Sequence, residues 1–152
     1  MDKLELLRYL VKSTEKEGTA LFAQLLKPLN ITPNQSEVLL VLSQYEPLSL
    51  KEIGELLICE RKSPSRLVQK LVDKGFIYKS QSLEDNRKSV LYLTKDGKKI
   101  IPEIRQAEKG FHTVISSAIN ESDTAIEELT SFLAKFIENT DSNERIKMRT
   151  KD

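Results

Sequence analysis

Along this chain the apolar residues recur mainly at helical spacing, and they fall into separate stripes. Over residues 3–29, Leu4, Leu7, Leu10 and Val11 form one stripe, and Leu21, Phe22, Leu25, Leu26 and Leu29 form a second. Such i, i+3, i+4, i+7 spacing gathers side chains on one helix face. Residues 12–18 between the stripes are polar, so the helix bends or faces solvent there, and its two ends pack against different surfaces. Thr32-Pro33-Asn34-Gln35 is a start signal: a Thr cap, Pro at the first helical position and Gln as the reciprocal cap. The helix it opens runs to about Gln44 with Val38, Leu39, Val41 and Leu42 apolar, and Glu46-Pro47 ends it. Ser49-Leu50-Lys51-Glu52 is a second capping box, opening a helix with Ile53, Leu56 and Leu57 inward.

The stretch from Glu60 to Leu93 organises the rest. Leu67, Val68, Leu71 and Val72 share one helical face, and Lys62, Ser63, Ser65, Arg66, Gln69 and Lys70 share the opposite one. Pro64 is tolerated only in the first turn, so this helix begins between Glu60 and Pro64. Gly75 ends it, because glycine takes positive φ at low cost. Residues 76–79 and 89–93 are β-prone, and Asp85-Asn86 between them signals a turn. Thr94 caps a helix from Lys95 in which Pro102 predicts a kink. That helix resumes through Ile104, Ala107, Phe111, Val114, Ile115 and Ala118. Ser122 starts a last helix whose apolar side holds Ala125, Ile126, Leu129, Phe132, Leu133, Phe136 and Ile137. So wide an apolar side on a lone arm calls for a covering partner, and a two-fold homodimer is the economical one. Residues 139–152 are polar and of mixed charge, the composition of a frayed tail unless a contact holds it.

Charge changes the picture. The net charge of the whole chain is only +1. Residues 1–60 carry 6 basic and 9 acidic side chains, residues 61–99 carry 11 and 4, and residues 100–152 carry 7 and 10. A basic block between two mildly acidic arms is the footprint of a local nucleic-acid surface, the plainer alternative being a solvated charged face. A polar-faced helix beside a cationic hairpin suits duplex DNA, the helix in the major groove and the hairpin on the minor groove.

Ser63-Pro64-Ser65-Arg66-Leu67-Val68, then Leu71 and Gly75, then Asp85, Arg87, Leu93-Thr94 and Gly97 form an ordered set. That set resembles the winged helix-turn-helix of the MarR family of bacterial transcriptional regulators. With the flanking helices, the resemblance covers about residues 4–138. It departs at Tyr78-Lys79, where a more basic pair is frequent, which bears on the contacts leading into the wing. The fold implied is mostly α with a small β-hairpin wing, a winged helix-turn-helix flanked by terminal dimerisation helices. In these terms residues 1–152 form a single domain. Residues 31–99 are its DNA-binding lobe, 1–30 and 100–140 its helical dimerisation region, and 141–152 a polar tail. The resemblance implies a homodimer on a pseudopalindromic operator, with half-sites near one helical turn, about 10 base pairs, apart. It also implies repression by promoter occlusion, and release by a small aromatic effector between the dimer arms and the lobe. Tyr9, Phe22, Tyr45 and Phe111 are candidates to line that crevice, or else to serve as core.

The candidate chemistry is therefore recognition. Arg66 is the leading major-groove contact, because Arg pairs bidentately with guanine. Its alternatives are a phosphate contact or an ion pair with Asp73 or Glu60. Ser63, Ser65 and Gln69 share its face, as base or backbone contacts or as ordinary solvated residues. Lys62 and Lys70 suit phosphate positioning. Arg87 at the hairpin tip is a candidate minor-groove contact held by Asp85, the role of the family's wing Arg; otherwise the pair is a surface salt bridge. Lys79 and Lys88 add attraction to phosphates. Cys59 precedes the reading helix, where a helix N-terminus and Arg61 and Lys62 favour its thiolate. Cys-based oxidant sensing in the MarR family often works from a helix nearer the N-terminus, so this position does not match it. The alternative is a half-buried small apolar side chain.

One Cys excludes an intrachain disulfide framework, and one His with one Cys leaves no zinc-ligand spacing. No Gly-rich phosphate loop, Ser elbow or Cys near His appears in the sequence, so neither an enzyme nor a cofactor is expected. The first residues, MDKLELLRYL, are no signal peptide, and nowhere do about 18 apolar residues run together. A soluble, cytoplasmic chain is the expectation. The rival classes are a protein-interaction module that keeps the fold without DNA binding, and a thiol-based redox regulator using Cys59.

Overall fold

Local caps set most of the helix ends in the computed structural model, which describes residues 1–59, 64–85 and 88–150. Helix α1 spans Lys3–Leu26, its first N–H groups from Leu4 and Glu5 donating to the Asp2 carboxylate at 2.8 Å. It is one unbroken helix whose residues 12–17 face solvent. A short 3₁₀ turn, Lys27–Leu29, closes on Asn30 at φ 54°. Helix α2, Pro33–Tyr45, opens with the reciprocal Thr32 and Gln35 cap, and α3, Leu50–Leu56, opens with the Ser49 and Glu52 cap. Both capping boxes are present as the sequence predicts.

Helix α4 spans Pro64–Asp73 and stops at Gly75, whose φ is 77°. Strands β1, Ile77–Gln81, and β2, Ser89–Leu93, pair antiparallel with Ile77 opposite Leu93 and Gln81 opposite Ser89. Leu48 adds a single further rung against Leu91 on the other side of β2. Helix α5, Lys95–Ala118, follows directly. Pro102 lies inside it, and the helix continues, since a missing N–H deletes only one bond of the ladder. Thr94 ties the junction: its hydroxyl donates to Gly75 O at 2.6 Å and accepts from the Gly97 N–H at 3.0 Å.

The core lies in the lobe. Leu26, Val38, Leu39, Leu42, Ile53, Leu57, Leu71, Ile77 and Ile104 are fully buried and come from α1, α2, α3, α4, the hairpin and α5. Leu57 is buried and Leu56 half-buried, so the inward face of α3 is as expected with one residue at its edge.

Helix α6, Asp123–Phe136, starts at the Ser122 cap and buries none of its residues. Ile126, Leu129, Phe132, Leu133 and Phe136 stay exposed, as do Leu4, Leu7, Leu10 and Val11 on α1 and Val114 and Ile115 on α5. The polar end is not frayed. Residues 141–149 form helix α7, Asp141–Arg149, capped by Thr140 and docked on α3. Composition misleads there because α7 is held by polar bonds to distant residues rather than by an apolar face. Among the described residues no helix is long and apolar enough to cross a membrane.

Candidate nucleic-acid interface

Helix α4 divides its residues as its periodicity requires. Val68 and Leu71 are buried and Leu67 and Val72 pack at the core's edge, while Ser65, Arg66, Gln69 and Lys70 are exposed. Ser65, Arg66 and Gln69 line a cleft of about 520 Å³ with Lys79 and Ser89 of the hairpin, over a floor that includes Leu50, Val68 and Leu91. The packing of β1 on α4 thus brings Lys79 beside the polar face of the helix, and strand pairing adds Ser89. Lys70 turns the other way. It lines a second cleft, of about 510 Å³, with Lys27 and Lys74 near the start of α2. There Lys74 Nζ donates to Asn30 O and, at 3.3 Å, to Gln35 Oε1.

Gln69, on the exposed face, is also bonded within the chain. Its Nε2 donates to Asp73 Oδ1 at 2.9 Å, and its Oε1 accepts from Lys79 Nζ at 3.3 Å. The amide therefore braces the reading helix against the hairpin. Asp73, one of the two ion-pair partners considered for Arg66, accepts from Gln69 instead. The other partner, Glu60, lies outside the described residues, as do Arg61, Lys62, Ser63, Asn86 and Arg87. The Asp85 and Arg87 pairing is thus outside them too.

Ser82, which sequence reasoning passed over, closes the hairpin: its N–H donates to Lys88 O at 2.8 Å. Its hydroxyl accepts from the N–H groups of Glu84 and Asp85 at 3.3 and 3.4 Å. A Ser that mimics a turn with its own hydroxyl is a recognisable local signal. Asp85 O in turn accepts from the Lys88 N–H at 2.9 Å, and Asp85 is half-buried. Tyr78 and Tyr92 stack across the strands with centroids 5.4 Å apart, so Tyr78 supports the hairpin.

Lys88 is exposed and lines a third cleft, of about 890 Å³, with Lys51, Glu52 and Glu55 of α3. The Ser49 hydroxyl and backbone N–H hold the Glu52 carboxyl below its ordinary value, with smaller help from the charges of Lys88 and Lys51. Lys88 therefore faces an acid of its own chain.

Cys59 is exposed rather than half-buried. Its backbone N–H donates to Glu37 Oε2 at 2.9 Å, and that of Ile58 donates to Glu37 Oε1 at 2.8 Å. The aromatic residues named for an effector crevice divide between two settings. Phe22 and Phe111 meet at 5.5 Å and Tyr45 packs against the lobe's core, whereas Tyr9 stays exposed under Arg8.

Comparison with known proteins agrees with this geometry. The family model described as the transcriptional regulator SarA/Rot matches residues 20–104. The organic hydroperoxide resistance transcriptional regulator of Bacillus subtilis (strain 168) is 33% identical over 89 residues, which are 59% of this chain and 60% of that one. The HTH-type transcriptional regulator SarZ of Staphylococcus aureus (strain MRSA252) is 23% identical over 133 residues, covering 88% of this chain and 90% of that one. Among solved structures, the S. aureus MepR–DNA complex superposes with a TM-score of 0.77 at 23% identity, over 86% of this chain and 95% of that one.

Proposed function

Because the chain belongs to the SarA/Rot family of transcriptional regulators, of the MarR winged-helix type, we propose that it reads double-stranded DNA as a homodimer. The operator is a pseudopalindrome with half-sites about 10 base pairs apart. Helix α4 enters the major groove with Arg66 as the base-reading side chain and Ser63 and Ser65 beside it. Gln69 orients the helix against the hairpin. Lys62, Lys70, Lys79 and Lys88 approach phosphates, and Arg87, steadied by Asp85, enters the adjacent minor groove. The lobe of residues 31–99 does the reading, and residues 1–30 and 100–140 join the subunits. Residues 141–149 serve the lobe through α7. The regulator acts in the cytoplasm as a repressor that occludes its promoter. A small aromatic effector releases it by binding one spacing of the lobes better than another.

The observation that carries this reading is the shared cleft of Ser65, Arg66, Gln69 and Lys79, a polar and cationic surface beside a hairpin. Arg66→Ala combined with Arg87→Ala tests it. Loss of about 2–6 kcal/mol of duplex affinity, the sum expected for two base-reading side chains, supports it. Unchanged affinity at moderate salt would show a winged-helix protein-interaction module instead.

A thiol switch is the second reading, favoured by the exposure of Cys59 at the entry to α4. Peroxide then weakens duplex binding in the wild type and leaves Cys59→Ser unaffected. Equal weakening in both excludes it.

A further inference from the structure

Helix α7 is docked without a hydrophobic reason. It buries none of its residues, yet it lies against α3. Its bonds to the lobe from Arg145 and Arg149 are polar, to the backbone at the end of α3 and to the α2 carboxylate that holds the residues after it. Arg145 Nη1 donates to Gly54 O at 2.5 Å and to Leu57 O at 2.8 Å. Helix ends leave such carbonyls without intrahelical partners, and a cation there also suits the negative end of the helix dipole. In a longer helix the Ile58 N–H would have bonded Gly54 O. Here the N–H groups of Ile58 and Cys59 both go to the Glu37 carboxylate of α2. Arg149 Nη1 completes that carboxylate, donating to Oε1 at 2.5 Å, with the two side chains only 24% and 14% exposed.

Every strand of this network ends on the helix-turn-helix turn. At Gly54, a Cβ would sit 3.3 Å from Pro64 Cγ, so α3 and α4 approach closely where Arg145 grips. Charge-assisted bonds in partly dry surroundings are the strong kind, and removing one partner strands the other.

We infer that α7 is an in-cis anchor of the reading head, with Arg145, Arg149 and Glu37 as positioning residues that set the entry to α4. This rests on the DNA-reading function proposed above, and it adds residues that need touch no DNA.

The test uses the full-length chain as wild type, Arg145→Ala, Arg149→Ala, Arg149→Lys and Glu37→Gln. The ligand is a duplex that the wild type selects from a random-sequence pool. Amide exchange is followed at Ile58 and Cys59, with Leu39 and Leu42 in the middle of α2 as folding controls. The expected result is faster exchange at Ile58 and Cys59 with the controls unchanged. Duplex affinity falls roughly tenfold, the worth of about one charge-assisted bond, and Arg149→Lys recovers part of it. The slope of affinity against salt stays at the wild-type value, because no phosphate contact is lost. If the alanine variants lose protection at the α2 controls, Arg149→Lys and Glu37→Gln carry the comparison. Unchanged exchange, or faster exchange with affinity intact, overturns the anchor. A weaker affinity with a shallower salt slope also overturns it, since the arginines would then be phosphate contacts. A wild type that selects no duplex overturns the DNA reading itself, and this is visible before any variant is compared.

Discussion

Gly97 has no room for a side chain. A Cβ there would stand 2.1 Å from Phe76 O, a backbone atom that cannot swing aside. The same carbonyl accepts from the Thr94 N–H at 3.0 Å, so moving it would also disturb the cap of α5. Gly97→Ala is therefore expected to cost about 3 kcal/mol or more, at the upper end of overpacking penalties. Gly110, in the same helix, has no atom nearer than 3.8 Å to its Cβ position. Gly110→Ala should stabilise by about 0.5–1 kcal/mol through helix propensity. Chemical denaturation of both variants checks the pair, and equal effects would refute the close approach at Gly97. The sequence shows Gly97 as part of a family pattern, whereas the reason for it is a neighbour 21 positions away. Gln69 teaches the same lesson in the candidate site. Its outward direction was legible from periodicity, but its bond to Lys79 depends on how β1 lies beside α4.

At the scale of the element, short helices depend on their ends. Helix α3 has only seven residues, and its capping box satisfies donors that so short a ladder leaves open. The Ser49 N–H donates to Glu52 Oε2 at 2.7 Å and the Glu52 N–H to Ser49 Oγ at 3.2 Å. These bonds favour the charged carboxylate and lower its pKa from the ordinary 4.5. Because the folded value is depressed, the stabilisation is complete above the unfolded value and lost as pH falls through the folded one. Thermal unfolding of wild type and Glu52→Gln should thus differ at neutral pH, and the difference should shrink as pH falls below the ordinary value of 4.5. A difference that does not shrink on acidification would mean that the charge is not what the cap uses. Both capping boxes were legible in the sequence, because all their partners lie within three residues. Helix α7 was not, because its attachments reach back to Gly54, Leu57 and Glu37, as much as 112 positions away.

For the whole molecule, the distribution of apolar surface is uneven. The buried apolar residues gather in the lobe, while α6 leaves Leu129 51% and Phe132 46% exposed, and the start of α1 and the end of α5 add more. A patch of that kind on a chain in water is ordinarily an interface. Leu129→Glu with Phe132→Glu should convert a dimer to a monomer in sedimentation, with duplex affinity falling as the second half-site is lost. A wild type that sediments as a monomer at micromolar concentration would refute the dimer. The lobe's own unfolding should change little, because neither residue belongs to its core.

What the sequence by itself determined follows from short-range physics. Helical spacing set the faces of α1 to α6, the local caps set where α2, α3 and α5 begin, and positive φ at Gly75 ended α4. The basic block between residues 61 and 99 was likewise countable without coordinates. Tertiary structure alone decided the Leu48 rung beside β2, the bond from Lys79 to Gln69, and the docking of α7. Each of these is a polar or backbone pairing between segments distant along the chain. Such a pairing leaves no periodicity in either segment, so it emerges only when the fold brings the two together.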